Sequence, residues 1–351
     1  MSLIHDAATL ALRQLEPETA HNLSLDALAY GLGPRDFELG DPALSVHVGG
    51  MDLPNCVGLA AGYDKDARVP GAMLAAGFGF VECGTVTPLP QDGNPRPRLF
   101  RLPKDKAVIN RFGFNSAGLE TFAANLAVKR RRGLVGANLG ANKESVDRSA
   151  DYVAGLKRLW GLCDYFTVNI SSPNTAGLRD LQAQSALEDL TGRLDEARKA
   201  LNTGRDYPIF LKVAPDLTDR EVRDIVHCAH ASRINGLIVS NTTITRPDSL
   251  SSSDKGETGG LSGKPLMSLS TQMLKRFHDH NESANLALIG AGGVSSGADA
   301  YAKIRAGACA VQVYTALVYQ GPGLVRRIKR DLAKRLRADG FASVAEARGT
   351  A

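Results

Sequence analysis

The segment "YFTVNISSPNT", residues 165–175, joins a short apolar run to a cluster of hydroxyls, amides and one proline that carries no charge. Its first five residues have the length and composition of a β-strand that is buried on both faces. The polar half alone is typical of an ordinary Ser/Pro/Asn turn. A functional interpretation therefore requires the same pairing of apolar run and polar end elsewhere in the chain.

Seven further short apolar runs repeat this pattern. They are "CVGLAAG" (56–62), "GFVECGTV" (79–86), "LVGANLG" (134–140), "PIFLKVAP" (208–215), "GLIVSNTT" (236–243), "LALIGAGG" (286–293) and "CAVQVYT" (309–315). Amphipathic stretches such as 116–129, 186–201 and 217–230 separate them, and Ser116, Thr218 and Ser295 are predicted helix N-caps. Eight strand–helix alternations predict an α/β fold, a (β/α)₈ TIM barrel, with an open parallel sheet as the alternative.

Polar residues or glycines lie at or just after the carboxyl end of every one of these predicted strands, where a barrel gathers its active site. They are Gly62, Lys65, Thr85, Asn138, Asn169, Lys212, Ser240, Asn241, Gly292, Gly293, Tyr314 and Thr315. Because the carboxyl ends of barrel strands converge, these residues predict a single site. Gly292 and Gly293 end the seventh run along the chain, at the usual phosphate site of barrels, and are predicted to bind a cofactor phosphate. A tight turn that only needs glycine is the alternative.

Lys65 and Lys212 lie near strand ends, where a buried charge is costly unless a ligand or a counter-charge accompanies it. Lys212 is a candidate to stabilise a reduced, anionic cofactor ring, and Lys65 to hold a substrate carboxylate or a cofactor carbonyl. A buried salt bridge and a Schiff-base lysine are the alternatives. The sequence shows no histidine at a strand end, no metal-binding constellation and no GxSxG elbow. This composition favours a planar heterocycle with a phosphate tail, where the cofactor carries the difficult chemistry.

Charge and composition exclude several classes of protein. The chain of 351 residues has a formal net charge of +5, which is too weak to indicate a nucleic-acid partner. The dense basic cluster "KRRRG" at 129–133 is interpreted as a solvated helix end, with a phosphate or lipid site as the alternative. The five cysteines lack CxxC spacing and are predicted to be free thiols in a reducing compartment. No apolar run reaches 18 residues, and the N-terminus lacks the pattern of a secretion signal.

Residues 1–40 do not follow the strand–helix alternation. "SLIHDAATLALRQL" (2–15) places apolar residues on one helical face. "PETAHNLSLDALAYG" (17–31) begins with Pro17 and ends at Gly31, as helices prefer. These patterns predict a helical hairpin, residues 1–40, appended to a barrel domain, residues 41–351. The hairpin either packs flat on the barrel or offers a second apolar face to a membrane surface or an apolar ligand.

Seven motifs run through the chain in a fixed order. They are "GLAAGYDKD" (58–66), "GTVTPLPQDGNPRPRLFRL" (84–102), "INRFGFNS" (109–116), "NISSPNTAGLRDLQ" (169–182), "SNTT" (240–243), "GGLSGKPL" (259–266) and "VQVYTALVYQGPG" (311–323). Together they resemble the class 2 dihydroorotate dehydrogenases, the quinone-linked, FMN-containing type. The resemblance implies oxidation of (S)-dihydroorotate to orotate in UMP biosynthesis, with FMN as hydride acceptor and ubiquinone or menaquinone as final acceptor. It also implies a monomer without metal or nucleic acid, held peripherally at the cytoplasmic face of the cell membrane.

The resemblance assigns binding roles to individual residues. It implies FMN contacts from Ala61, Gly62, Lys65, Thr85, Asn138, Asn169, Lys212, Ser240, Gly263, Gly293, Tyr314 and Thr315. It implies substrate contacts from Lys65, Asn110, Arg111, Phe112, Gly113, Phe114, Asn169, Asn174, Asn241 and Thr242. Ser240 stands where many family members have threonine, and either hydroxyl donates a hydrogen bond.

The resemblance also implies catalytic and quinone-binding roles. The family's base falls on Ser172, where class 1 relatives have cysteine, and Thr175 is the expected proton relay. Ser172 would remove a proton from C5 of dihydroorotate while hydride leaves C6. His21, Arg101 and Tyr314 are expected to line a quinone entrance under the hairpin. The rival interpretations are an FMN barrel oxidoreductase that uses fumarate or NAD, a silent barrel that docks on membranes, and a Schiff-base aldolase or isomerase.

Overall fold

The computed structural model describes residues 2–128, 133–175, 177–201 and 204–351. Most of the basic cluster at 129–133 therefore lies outside the described residues. The strands are β1 (Val46–Val48), β2 (Met51–Leu53), β3 (Val57–Leu59), β4 (Phe80–Val86), β5 (Leu99–Leu102), β6 (Ala107–Asn110), β7 (Leu134–Leu139), β8 (Tyr165–Asn169), β9 (Ile209–Val213), β10 (Gly236–Val239), β11 (Gly260–Gly263), β12 (Ala287–Ala291) and β13 (Ala310–Val313). The helices are α1 (Ser2–Leu12), α2 (Pro17–Ala29), α3 (Pro70–Ala75), α4 (Leu119–Val128), α5 (Arg148–Leu159), α6 (Gln184–Leu201), α7 (Asp219–Ala231), α8 (Met267–Asp279), α9 (Gly297–Arg305), α10 (Thr315–Gln320), α11 (Leu324–Ala338) and α12 (Val344–Ala347).

Within the described residues, eight parallel strands close into a barrel. Their order is β3, β4, β7, β8, β9, β10, β12 and β13, and β13 pairs again with β3. Each of the eight apolar runs supplies one strand, so the predicted (β/α)₈ barrel is confirmed and the open sheet is wrong. β4, β8 and β9 are buried along their whole length, because they lie between a filled interior and an outer layer of helices.

Aromatic side chains fill the barrel near the amino ends of its strands. Phe80, Tyr165 and Phe210 lie at the beginning of β4, β8 and β9. The Tyr165 ring meets the other two edge to face, with centroids 6.3 and 5.7 Å away. Gly136 of β7 makes room for Tyr165, since a Cβ there would lie 2.2 Å from its ring. Because this end is packed, the space for a ligand lies at the carboxyl ends of the strands.

Helix starts follow from local hydrogen bonds. Thr218 and Glu221 form a capping box at the start of α7, so the predicted cap is confirmed. The prediction for Ser295 is wrong by one residue, because Ser296 has the extended backbone that a cap needs and accepts from the third N–H of α9. The prediction for Ser116 is also wrong, because α4 begins three residues later.

An antiparallel sheet of β5, β6 and β11 lies outside the barrel and was missed by the sequence analysis. Each strand has only four residues, too few for a clear alternation. The sheet has a small apolar core of its own, formed by Leu102, Ala107, Ile109, Leu250 and Leu261. It carries Asn110 at the end of β6 and Gly263 at the end of β11, and thereby brings both to the barrel mouth.

α1 and α2 form the predicted helical hairpin. Pro17 begins α2, and Gly31 follows it with φ of +78°, the left-handed conformation that ends many helices. α2 is anchored by Glu18, whose carboxylate accepts a hydrogen bond from Arg98 Nη2 at 2.7 Å, with both side chains buried. None of the helices in the described ranges is long and apolar enough to cross a membrane.

Candidate active site

A cavity of about 390 Å³ is lined by the carboxyl ends of the barrel strands and by residues of α1 and α2. The predicted site residues that line it are His21, Ala61, Gly62, Lys65, Thr85, Arg101, Asn110, Phe112, Gly113, Phe114, Asn169, Ser172, Asn174, Lys212, Ser240, Asn241, Thr242, Gly263, Gly292, Gly293, Tyr314 and Thr315. Asn138, Arg111 and Thr175 do not line it. The structure thus brings most predicted residues to one cavity, while their individual roles stay predictions.

The three exceptions have other surroundings. Asn138 is buried behind the cavity wall and accepts a hydrogen bond from Thr85 Oγ1 at 2.6 Å, so it supports a lining residue. Arg111 forms an ion pair with Glu257, with Nη1 and Oε2 2.5 Å apart. Thr175 is buried, and its Oγ1 has no hydrogen-bond partner among the described residues.

Amide and hydroxyl side chains interlock at the strand ends. Asn169 Nδ2 donates to Thr85 Oγ1 at 3.0 Å. Asn241 Nδ2 donates to Asn169 Oδ1 at 3.2 Å and to Ser171 Oγ at 2.9 Å. These bonds fix which end of each amide donates and which accepts. The resulting surface is uncharged, and it suits a ligand with both N–H and C=O groups.

Glu82 is a site residue that the sequence analysis missed. Its carboxylate is buried in β4 and accepts hydrogen bonds from Asn138, Thr167 and Gln312 at 2.7, 3.1 and 2.8 Å. Lys212 Nζ lies 3.7 Å from Glu82 Oε1, and Lys212 also lines the cavity. The two buried charges balance one another, as the salt-bridge alternative for Lys212 required. The sequence did contain a signal for Glu82, since it is an acidic residue inside the apolar run 79–86.

Lys65 lies among neutral partners. Its Nζ donates to Asn115 Oδ1 and lies 3.6 Å from the centre of the Phe112 ring. Burial, together with repulsion from Arg98, lowers the pKa of Lys65 to about 7. No carboxylate in the described part of the chain forms an ion pair with Lys65, so an anionic ligand would stabilise its charged form. Asn115 was also missed, although it lies in the quoted motif 109–116.

Ser172 lies in the loop after β8 and is only 5% exposed. Its Oγ accepts a hydrogen bond from the backbone N–H of Asn174 at 3.3 Å. Asn174 Nδ2 in turn donates to Asn110 Oδ1 at 3.2 Å, which ties the loop to β6. Over the described ranges, no imidazole or carboxylate hydrogen-bonds Ser172 Oγ, so any help in proton transfer has to come from elsewhere.

The loop after β12 contains two glycines, whose lack of side chains lets another group come close to the backbone. Gly292 and Gly293 have φ of +93° and +83°, which disfavour other residues. A Cβ on Gly293 would lie 2.4 Å from the Cα of Met267. The N–H of Gly293 donates to no acceptor within the described residues. A free backbone donor at a cavity wall suits an anionic group, as the sequence predicted for this loop.

Known proteins share both the sequence and the architecture. The family model for dihydroorotate dehydrogenase matches residues 43–336. A relative from Rhodospirillum rubrum, named dihydroorotate dehydrogenase (quinone), is 55% identical over 335 residues, which cover 95% of this chain and 91% of the relative. A Cereibacter sphaeroides relative of the same name is 52% identical over 351 residues, covering 100% and 98%. A crystal structure of DHODH from Eimeria tenella in complex with ferulenol has 44% identity and a TM-score of 0.90, covering 95% of each chain.

The chain belongs to the dihydroorotate dehydrogenase family. Its relatives place it in class 2 of that family, and the predicted family and enzyme class, an oxidoreductase, are thereby confirmed. The dihydroorotate dehydrogenase match begins at residue 43, so α1 and α2 lie before it. The full-length relatives nevertheless align with at least 95% of this chain.

On the hairpin side of the cavity in this dihydroorotate dehydrogenase, several of the polar side chains are neutral and aromatic. The Tyr63 ring lies edge to face with His21 at 5.3 Å and with Tyr314 at 5.8 Å. Burial lowers the pKa of His21 to about 4 and raises that of Tyr63 to about 12, so both are neutral near pH 7. Arg101 Nη1 donates to the carbonyl oxygen of Arg13 at 2.9 Å and so holds the end of α1. Arg101 therefore has a structural role beside the predicted quinone contact.

Proposed function

We propose that this chain oxidises (S)-dihydroorotate to orotate, a step of UMP biosynthesis, and passes the electrons to a membrane quinone, ubiquinone or menaquinone. One observation carries the proposal: a single cavity joins Ser172 and the amide cluster at the barrel mouth to the aromatic groups under the hairpin. Such continuity gives an electron donor and a quinone access to one shared cofactor site. Relatives with the quinone-dependent name, 55% and 52% identical, support the same assignment.

The residues present fit FMN as the resident cofactor. The N–H of Gly293, which has no acceptor in the described part of the chain, and the left-handed backbone at Gly292 and Gly293 suit its phosphate. Lys212 would hold negative charge on the ring, because it lines the cavity and its Nζ lies 3.7 Å from the buried Glu82 carboxylate. Gln312 also lines the cavity and has a buried Oε1 without a partner among the described residues. When bound, FMN supplies the acceptor for the hydride and the donor for the quinone.

The substrate would be bound by one charged side chain and by neutral amide side chains. Lys65 would pair with the carboxylate, while Asn169 and Asn174 would bind the uncharged imide edge. Ser172 Oγ is the proposed base for the C5 proton. A serine hydroxyl is a weak base at neutral pH, so its own proton has to leave as the new one arrives. Thr175 of the same loop is the proposed relay, because its buried Oγ1 has no hydrogen-bond partner among the described residues.

The hairpin, residues 1–40, is the proposed membrane-docking unit of a monomer at the cytoplasmic face of the cell membrane, with residues 41–351 as the catalytic barrel. Its exposed apolar surface supports this role. Within the described residues, most of the strongly exposed large apolar side chains belong to this unit: Leu10, Leu15, Leu23, Tyr30, Leu32, Phe37 and Leu39. Exposed apolar groups around a cavity entrance would let a lipid-soluble quinone enter from the bilayer.

Anaerobic absorbance of the purified protein tests the proposed function. Addition of L-dihydroorotate should bleach the flavin band, and a soluble quinone, but neither fumarate nor NAD, should restore it. Recovery with fumarate or NAD would overturn the quinone as acceptor. A yellow protein that L-dihydroorotate does not bleach would overturn the substrate. A colourless protein would overturn FMN and favour a Schiff-base role for Lys212.

A further inference from the structure

Lys303 is a buried lysine that the proposed reaction does not use. It lies on α9 with 0% exposure, and its side chain packs against Gly290 of β12. Its Nζ donates to Ser270 Oγ at 2.8 Å and to Thr271 Oγ1 at 3.2 Å. No carboxylate within the described part of the chain forms an ion pair with Lys303. An ammonium group in a protein interior is costly without a compensating charge. Asp299 of the same helix raises the pKa of Lys303 by charge attraction but forms no ion pair with it in the described structure, so a further anion nearby would stabilise the ammonium.

Ser270 of α8 links Lys303 to the loop after β12. Its Oγ accepts the hydrogen bond from Lys303 and lies 2.9 Å from the carbonyl oxygen of Gly292, to which it donates. A hydroxyl has a single hydrogen. The Lys303 ammonium only donates, so the Ser270 hydrogen remains available for a carbonyl oxygen. The carbonyl oxygen of Gly292 is the nearer acceptor, because the carbonyl oxygen of Met267 lies 3.2 Å from Ser270 Oγ.

The Gly292 carbonyl determines where the next N–H points. In a planar trans peptide, the C=O of Gly292 and the N–H of Gly293 point in opposite directions. The carbonyl is held toward Ser270 on α8, so the N–H of Gly293 points away from that helix. Gly293 lines the cavity, and its N–H has no acceptor among the described residues. A chain of contacts therefore leads from Lys303 to a free donor at the cavity wall.

We propose that Lys303 is a positioning residue for the phosphate of FMN: through Ser270 it orients the N–H of Gly293, and its charge compensates the phosphate from behind the loop. The inference rests on the proposed function, because FMN is the source of the anion. Burial lowers the pKa of Lys303 to about 7, and a phosphate near the loop would favour the protonated form again.

Flavin binding with and without the phosphate tests this inference. The full-length chain is freed of flavin and titrated with FMN and with riboflavin, which lacks the phosphate, while flavin fluorescence is followed. Lys303→Met and Ser270→Ala should each weaken FMN at least tenfold and riboflavin less than twofold. The control Lys275→Met removes an exposed lysine of α8 that pairs with Asp279, and it should change neither affinity.

Each other outcome has a distinct meaning. Equal weakening of FMN and riboflavin would assign Lys303 and Ser270 a general structural role and overturn the inference, as would unchanged FMN affinity in both variants. If Lys303→Met fails to fold, Ser270→Ala decides alone, because it removes the link to Gly292 and keeps the lysine. If the wild-type protein binds neither flavin, the proposed function and this inference are both overturned. If the wild-type protein binds FMN, the proposed cofactor stands and the variants alone decide the role of Lys303.

Discussion

Ser172 and Lys65 depend on their surroundings for their proposed roles. The Ser172 hydroxyl accepts a backbone N–H and lies in a buried loop, without a histidine or carboxylate bonded to it in the described residues. Lys65 lies against Asn115 and the Phe112 ring, where burial makes its charge marginal near pH 7. Ser172 therefore needs a proton acceptor from the neighbouring loop, and Lys65 needs a negative charge from the ligand.

Replacing Ser172 by alanine should slow flavin reduction by dihydroorotate by about 10²–10⁴-fold, the usual contribution of a general base. FMN should stay bound, because Ser172 is not among the predicted FMN contacts. Stopped-flow absorbance under anaerobic conditions measures the rate, and the flavin content of the purified protein provides the control. Ser172→Cys, which keeps an acid–base group there, should retain more activity than Ser172→Ala. Full activity in the alanine variant would remove Ser172 from the base role.

Orotate should bind less tightly as the pH rises above about 7. Since the pKa of Lys65 is lowered to about 7, its ammonium form dominates below that pH and is lost above it. If the ammonium pairs with the orotate carboxylate, the apparent Kd rises by up to about tenfold per pH unit above the pKa. Perturbation of the flavin spectrum between pH 6 and 9 measures the Kd. Lys65→Met should bind weakly at every pH, and a constant wild-type Kd would contradict the pairing.

At the scale of elements, α1 and α2 have two apolar surfaces with different surroundings. Ala20 and Leu25 of α2 are buried against the rest of the chain, while Leu10 and Leu23 remain exposed. Phe37, which follows α2, is exposed as well. The helical spacing alone predicted amphipathic helices, but which apolar side chains stay uncovered depends on how the hairpin docks.

Exposed apolar side chains after α2 should dominate binding to lipid. The triple variant Tyr30→Ser, Phe37→Ser, Leu39→Ser should bind vesicles of phosphatidylethanolamine and phosphatidylglycerol about tenfold more weakly, because apolar area is no longer removed from water. Cosedimentation measures the bound fraction.

A matched control replaces three equally exposed apolar residues elsewhere, Leu89, Val146 and Ile244, by serine. Those changes should leave vesicle binding unaltered, and flavin reduction by dihydroorotate should survive the hairpin triple variant. Equal loss of vesicle binding in both triple variants, or in neither, would contradict docking through the hairpin.

At the scale of the whole molecule, ion pairs tie the start of the chain to its end. Asp36 and Lys329 lie 2.5 Å apart, and Asp41 and Arg337 lie 2.6 Å apart. Both acidic residues follow α2, and both basic residues belong to α11. The position of the hairpin over the cavity therefore depends on a helix from the opposite end of the sequence.

The pair between Asp36 and Lys329 should contribute far more to stability than its exposed neighbour. Its side chains are 7% and 16% exposed, so Lys329→Met would leave a buried carboxylate unpaired and should cost on the order of 3 kcal/mol. Arg330 and Glu38 are 62% and 28% exposed, and Arg330→Met should cost less than about 1 kcal/mol. Urea unfolding followed by circular dichroism measures both, and equal losses would contradict this ranking.

Much of the fold and of the site composition could be predicted because the signals are local. Strand burial appears as short apolar runs, and the polar ends of parallel strands meet at one edge whatever lies between them. Thr218 shows the same principle on a smaller scale, since its capping box lies within four residues. The sheet of β5, β6 and β11 was missed because pairing, rather than pattern, defines such short strands.

The sequence by itself determined the barrel, the hairpin and the abundance of amides, hydroxyls and glycines at the strand ends, because each depends on residues that are close along the chain. Only the tertiary structure decided the partners of the buried charges: Glu82 for Lys212, Glu18 for Arg98, and the hydroxyls of Ser270 and Thr271 for Lys303. A buried charge is stabilised by whatever lies within a few ångströms, and those neighbours come from elements far apart in sequence. The physical reason is that electrostatic compensation depends on distance in space, which no local pattern records.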